Sequence, residues 1–250
     1  MLPLLTAFGC APAPSEPFDL GWSAWGGLLQ RHVVGDEVDY AGWDGDGRAE
    51  LEAIVARFEG VGEAELRSWS RDDQLAFWIN AYNVLVVRLA LDHYPLESVA
   101  EIGPFAKSAF VMPIVAIPAT GSWRKTLMGL ENDVVRAGFG EPRIHFALNC
   151  ASKGCPALAG VPWTGATLDG DLDAAARTFL ADTSKNRFDP ATRVLSLSAI
   201  FDWYAEDFVG EGVSVESWVA GYAPAPVAEA IQQGGVTVAY LPYDWSLNGH

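Results

Sequence analysis

Between Leu75 and Leu91 the chain is apolar on nearly every face of a helix, and a helix of that kind has to be surrounded by protein. Ser70 opens it, with Asp73 three residues on as a capping partner and acidic charge in the first turn. His93-Tyr-Pro95 closes it, proline being the expected stop. The remaining elements must therefore wrap around this one. Asn80 and Asn83 lie three apart inside it, with Tyr82 beside them. An unpartnered buried amide costs about 1–3 kcal/mol, so each must clamp a neighbouring loop or orient a catalytic group or ligand.

The rest of the chain supplies the wrapping. Amphipathic spacing predicts helices over residues 19–34, 46–58, 126–137 and 167–180, another from Ser198 to Phe208, and shorter ones over 215–222 and 227–232. Alternation predicts strands over 143–148, 193–197 and 236–241. Pro104, Pro113 and Pro118 make 102–117 irregular, with short edge strands. The expectation is an α+β fold: one domain over 18–250, several helices around the central buried helix, and a small, mostly antiparallel sheet. A chain of 250 residues is within reach of a single core. Half the residues are hydrophobic and ten are tryptophan, which excludes disorder and a disulfide-stapled miniature fold. A net charge of -16, with only 16 lysines and arginines, excludes a nucleic-acid partner.

Residues 1–17 read as a signal remnant or lipoprotein tether. A short apolar run ends at Cys10 and a Pro- and Ser-rich stretch follows. Lipid on Cys10 would be the protein's one membrane contact and would place it in a bacterial cell envelope, with secretion as the unanchored version.

Chemistry concentrates at Arg143-Ile-His-Phe-Ala-Leu-Asn-Cys-Ala-Ser-Lys-Gly-Cys-Pro156, where alternation runs into a polar turn holding one histidine and two of the three cysteines. A thiol nucleophile needs a base, a cation or a helix N-terminus to lower a pKa that starts near ~8.5. Of the four histidines, His145 is the one that local sequence brings close to a thiol. Cys150 leaves the strand end directly and is the favoured nucleophile, with His145 as base. On an unbroken strand the two would point to opposite faces, so the backbone must bend at Asn149. Cys155 is the alternative nucleophile, because Gly154 before it and Pro156 after it suit the mouth of a helix. Asp207 and Asp244 are the candidates for orienting the imidazole. Asn149 and the turn amides would hold an oxyanion, with Arg143 or Lys153 holding a substrate carboxylate and Ser152 in support; turn capping and surface charge are the plainer roles for all of these. In an oxidising compartment Cys150 and Cys155 would instead pair, a small loop suited to thiol exchange. Zinc would lack a fourth ligand, so no metal and no cofactor is expected.

Phe77-Trp-Ile-Asn-Ala-Tyr-Asn83, the 143–156 stretch, Trp203-Tyr-Ala-Glu-Asp-Phe208 and Tyr243-Asp-Trp-Ser-Leu-Asn248 occur in an order that resembles the family catalogued as domain of unknown function 547. The likeness spans roughly residues 38–248. It implies an α+β domain of papain-like or transglutaminase-like thiol-enzyme architecture. At one point the chain departs from the family: relatives carry Glu-His where this chain has Glu131-Asn132, and if the chemistry of relatives uses that histidine, this chain is either inactive or relies on His145. The leading expectation is a cysteine-dependent hydrolase or acyl transferase acting on an amide or peptide-like small molecule, a thiol peptide such as glutathione among them. The alternative is a non-catalytic envelope binding protein with a structural Cys150–Cys155 bridge.

Overall fold

The computed structural model describes residues 16–105, 108–114, 125–210 and 212–250. Cys10, and all of the 1–17 stretch except its last two residues, lie outside the described residues.

Helices α1 (Ser23–His32), α2 (Arg48–Glu59), α3 (Glu63–Ser68) and α4 (Arg71–Asp92) form the first half of the core. In α4 every residue from Leu75 to Leu91 except Arg88 is buried. Burying side chains such as Phe77, Ile79 and Leu85 so completely stabilises the fold by about 1.5–3 kcal/mol each. By length and composition α4 could cross a membrane, but 89% of its most apolar window is buried inside the protein, so those faces are core. Ser70 Oγ accepts the Asp73 N–H at 3.0 Å, and the His93 N–H closes the far end on the carbonyls of Ala90 and Leu91. Helix α1 begins four residues later than its spacing predicts, because Asp19 accepts the N–H groups of Gly21 and Ser23 and forms a turn first. A two-strand hairpin follows it, β1 (Val33–Val34) and β2 (Glu37–Val38), turning at Gly35 with φ 62°.

The residues 127–139 form one helix, α5, which widens to π turns over Leu130–Arg136 and starts at Thr126, whose side chain caps Gly129. Helix α6 (Leu168–Ala181) leads into β3 (Arg187–Asp189) and β4 (Val194–Leu197). Short helices α7 (Ile200–Trp203), α8 (Ala205–Phe208), α9 (Val215–Ala220) and α10 (Ala225–Gln232) precede β5 (Thr237–Tyr240). Strand β4 is central, antiparallel to β3 and parallel to β5. The intervening helices carry the chain back to start β5 beside β4 in the same direction, so one of the three strand pairings is parallel. A second apolar cluster, around Phe146, Phe179, Phe201, Phe208 and Trp218, covers this sheet.

Two expected elements are corrected. Residues 143–148 are not a strand: Pro142–Phe146 is a 3₁₀ helix, with proline in its first turn and the Glu141 carboxylate accepting the Arg143 N–H at 3.0 Å. Ile144 through Asn149 are all buried, so the apolar alternation does not mark one inward face. Within 102–117 the described residues show no strand; a 3₁₀ turn, Val99–Glu101, precedes the stretch and a short helix, Ser108–Val111, lies in it.

The last residues lace these parts together. Asn248 accepts the Val38 N–H through its carbonyl and donates its own N–H to Ala151, while Ser246 and Asp244 accept the N–H groups of Lys153 and Gly154.

Candidate active site

The 3₁₀ helix fixes His145 from both sides. Ile144 is buried in the first apolar cluster and Phe146 in the second, which leaves the imidazole at the seam between them, 4% exposed. Its Nε2 lies 2.6 Å from Asp207 Oδ2, its ring stacks on Tyr204 at 4.1 Å, and Phe208 lies 5.4 Å away. Asp207 stands on α8 and also accepts Arg136 Nε at 2.6 Å and Nη2 at 2.8 Å. Burial pushes the Asp207 carboxyl up, but the hydrogen bonds from His145 and Arg136 outweigh it and hold the group well below the usual carboxylate range. With Nε2 facing the carboxylate, Nδ1 is the nitrogen left for chemistry; it makes no hydrogen bond to any described residue.

The cysteine turn enters the same space. His145, Cys150 and Cys155 all line one cavity of about 100 Å³, together with Tyr82, Glu131 and Tyr243. Cys150 and Cys155 are joined as a disulfide, their Cα atoms 6.0 Å apart. Cys150 is half-buried and Cys155 buried. Donors gather on the sulfurs: the Cys150 N–H reaches Cys155 Sγ at 2.9 Å, and Tyr243 O–H reaches the same atom at 3.0 Å. Ser152 Oγ lies 3.0 Å from Cys150 Sγ. Burial raises the pKa of Tyr243, so it remains a donor at neutral pH.

Neither sulfur sits at a helix mouth. The expectation for Cys155 is corrected here, because the chain after it runs as loop until Leu168. Gly154 has another duty. A Cβ there would come within 2.9 Å of the Asp244 carbonyl and the Tyr243 ring, so only glycine lets the C-terminal segment lie this close.

The other expected residues separate into clamps and bystanders. Asn80 grips the Trp163 backbone through both amide atoms, at 2.7 and 3.0 Å. Asn83 donates to the Ala147 carbonyl and accepts the Asn149 N–H, each at 2.9 Å, which ties the cysteine turn to α4. The Asn149 amide is spent inside the turn, donating to Pro156 O at 2.7 Å and accepting the Ala151 N–H at 2.8 Å, so it is not available to an oxyanion. Arg143 is held by Glu141, Asp169 and Asp173, away from the cavity, and does not meet a substrate carboxylate there. Asp244 caps the Ser246 N–H at 2.9 Å; Asp207, not Asp244, meets the imidazole. Ser152 and Tyr82 do reach the site.

Sequence reasoning missed Arg136, Glu131 and the shared role of Tyr204 and Tyr243. Tyr82, Tyr204 and Tyr243 come from three of the four segments that carry the resemblance, and that convergence is the available signal. No group of three or more histidine, cysteine or acidic side chains placed to hold a metal occurs among the described residues.

Residues 66–180 match a family model described as protein of unknown function, DUF547. The matched stretch contains α4, the π turns of α5, His145 and both cysteines, and it stops short of Asp207 and Tyr243. No curated protein and no solved structure matches the chain significantly.

Proposed function

From the premise that the chain carries a DUF547 domain, we propose that it is a cysteine-dependent hydrolase or acyl transferase for an amide or peptide-like small molecule, built on a papain-like plan and active once the Cys150–Cys155 bridge is reduced. One observation carries this: a histidine oriented by a carboxylate lines the same small cavity as the two sulfurs. Two equivalents of a small thiol, a thiol peptide being the natural class, open the bridge and leave as their own disulfide. The Cys150 thiol then gives its proton to His145 Nδ1, and the thiolate forms a bond to the acyl carbon. The C–N bond breaks, with the imidazolium proton going to the leaving amine. Water or a second acceptor, deprotonated by His145, releases the acyl group and restores the thiol. Asp207 keeps the imidazole in the required tautomer and offsets its charge. Since no helix N-terminus serves either sulfur, activation falls to His145, Ser152 and Tyr243.

The bridge itself favours a second reading, a non-catalytic envelope binding protein in which it only shapes the turn. A cell-envelope location, through lipid on Cys10, suits the binding reading because a disulfide persists there, and suits the enzyme reading where a small thiol is supplied to open the bridge. Alkylation with iodoacetamide after mild reduction separates them. The enzyme reading expects Cys150 to label at neutral pH well before Cys155, and His145→Ala to slow that labelling. Equal labelling of both cysteines only after denaturation would favour the binding protein.

A further inference from the structure

Glu131 occupies the cavity where α5 widens, and its partners there are neutral. Tyr82 O–H lies 3.4 Å from Oε2, and Tyr204 lines the same cavity. No lysine, arginine or histidine among the described residues pairs with it. The nearby cation, Arg136, is engaged by Asp207, Glu206 and Asn132. Glu131 is thus the carboxylate that lines the cavity, and it has no counterion, while Asp207, behind the imidazole, already has two basic partners.

Aromatic faces surround this charge. Trp203 stacks on Trp245 at 5.8 Å, Tyr243 lies 4.6 Å from Trp245, and all three line the cavity with Tyr82 and Tyr204. Aromatic rings present electron-rich faces to a cation, and an interaction of this kind contributes about 0.5–2 kcal/mol, more as water is excluded. An anionic group entering here would meet Glu131 with no cation to receive it. The chain's charge of -16 adds long-range attraction for cations and repulsion for anions. A cavity of about 100 Å³ has room for a side-chain-sized group, not a whole drug-sized ligand.

We propose that the cavity is a recognition site for an ammonium group, with Glu131 as the specificity-determining residue, so that the substrate is an amide or peptide-like compound carrying a short aminoalkyl arm. This deepens the reading of the site given above and rests on it only for where the acyl carbon lies. Glu131 is a binding residue in this account and takes no part in bond breaking.

The test uses the bridged protein, without turnover. Propylammonium, 1-butanol and butyrate are titrated at low ionic strength, with tryptophan fluorescence as the readout because Trp203 and Trp245 line the site. Propylammonium is expected to bind about tenfold more tightly than 1-butanol, with butyrate weakest. Glu131→Gln removes the preference for the amine and leaves the alcohol's affinity unchanged. Equal affinity for amine and alcohol, a preference for butyrate, or an unaltered amine affinity in Glu131→Gln overturns the proposal. The comparison of the three probes on the wild-type protein decides it even if the variant does not fold. Failure here leaves thiol chemistry standing, and inert cysteines leave amine binding standing.

Discussion

Replacing Asp207 with asparagine probes the junction between the two apolar clusters. The carboxylate accepts three charge-assisted hydrogen bonds, one from His145 and two from Arg136. Asparagine keeps one acceptor oxygen and turns an N–H donor toward groups that are themselves donors. Arg136 retains Asn132 and Glu206, so the larger loss falls on the buried imidazole. A hydrogen bond to a charged group contributes about 1.5–3 kcal/mol net. Asp207 is 23% exposed, and water takes up part of the loss, which places the cost of Asp207→Asn at about 2–3 kcal/mol. With a denaturant slope of about 3 kcal/mol/M, the urea midpoint at pH 7 falls by roughly 1 M. The sign of the pH dependence follows from the depressed carboxyl. Its stabilisation is complete above the unfolded pKa of about 3.9 and is lost as pH falls through the lower folded value. The gap between wild type and variant should therefore stay level from pH 8 to 5 and narrow below about pH 4. Urea titrations followed by tryptophan fluorescence at pH 7 and pH 3 measure it. A gap equal at both pH values, or wider in acid, would refute the ion-paired assignment.

Two further substitutions test how the site is held. Asn83→Ala strips the partners from the Ala147 carbonyl and the Asn149 N–H inside the core; a loss of about 2–4 kcal/mol in urea unfolding is expected, and hydrogen exchange at Asn149 should quicken. Gly154→Ala drives a methyl into the Asp244 carbonyl and the Tyr243 ring; it should cost about 1–3 kcal/mol and weaken protection of the Lys153 and Gly154 amides, whereas an unchanged melting temperature would mean the C-terminal segment does not rest there.

The large elements were legible because their signals are redundant. Helix α4 combines a cap at Ser70, a long and mainly apolar run buried on nearly every face, and a terminating proline, and all three point to one answer. The 143–148 stretch carried conflicting signals. Its alternation suggested a strand, while Glu141 and Pro142 mark a helix start, and burial on all sides let the local turn chemistry win. That Cys150 and His145 line one cavity was readable in sequence, since they are five residues apart. Asp207 lies 62 residues from His145, and no local pattern separates it from Asp244. Glu131 was harder still, since the π turns that accompany its place in the cavity have no clear periodic signature in sequence.

The C-terminal lacing has a kinetic consequence. Val38 meets Asn248, Asn83 meets Asn149, and Ala151 meets Asn248, so the backing of the cysteine turn is made of contacts between stretches widely separated along the chain. Loop-closure entropy has to be overcome for each, and such pairings come late on a folding route dominated by local helices. The helical shell can thus assemble while the sulfurs are still apart, which orders the events of maturation: shape first, bridge second, and a competent pocket only when the final strand of backbone has been drawn across the turn.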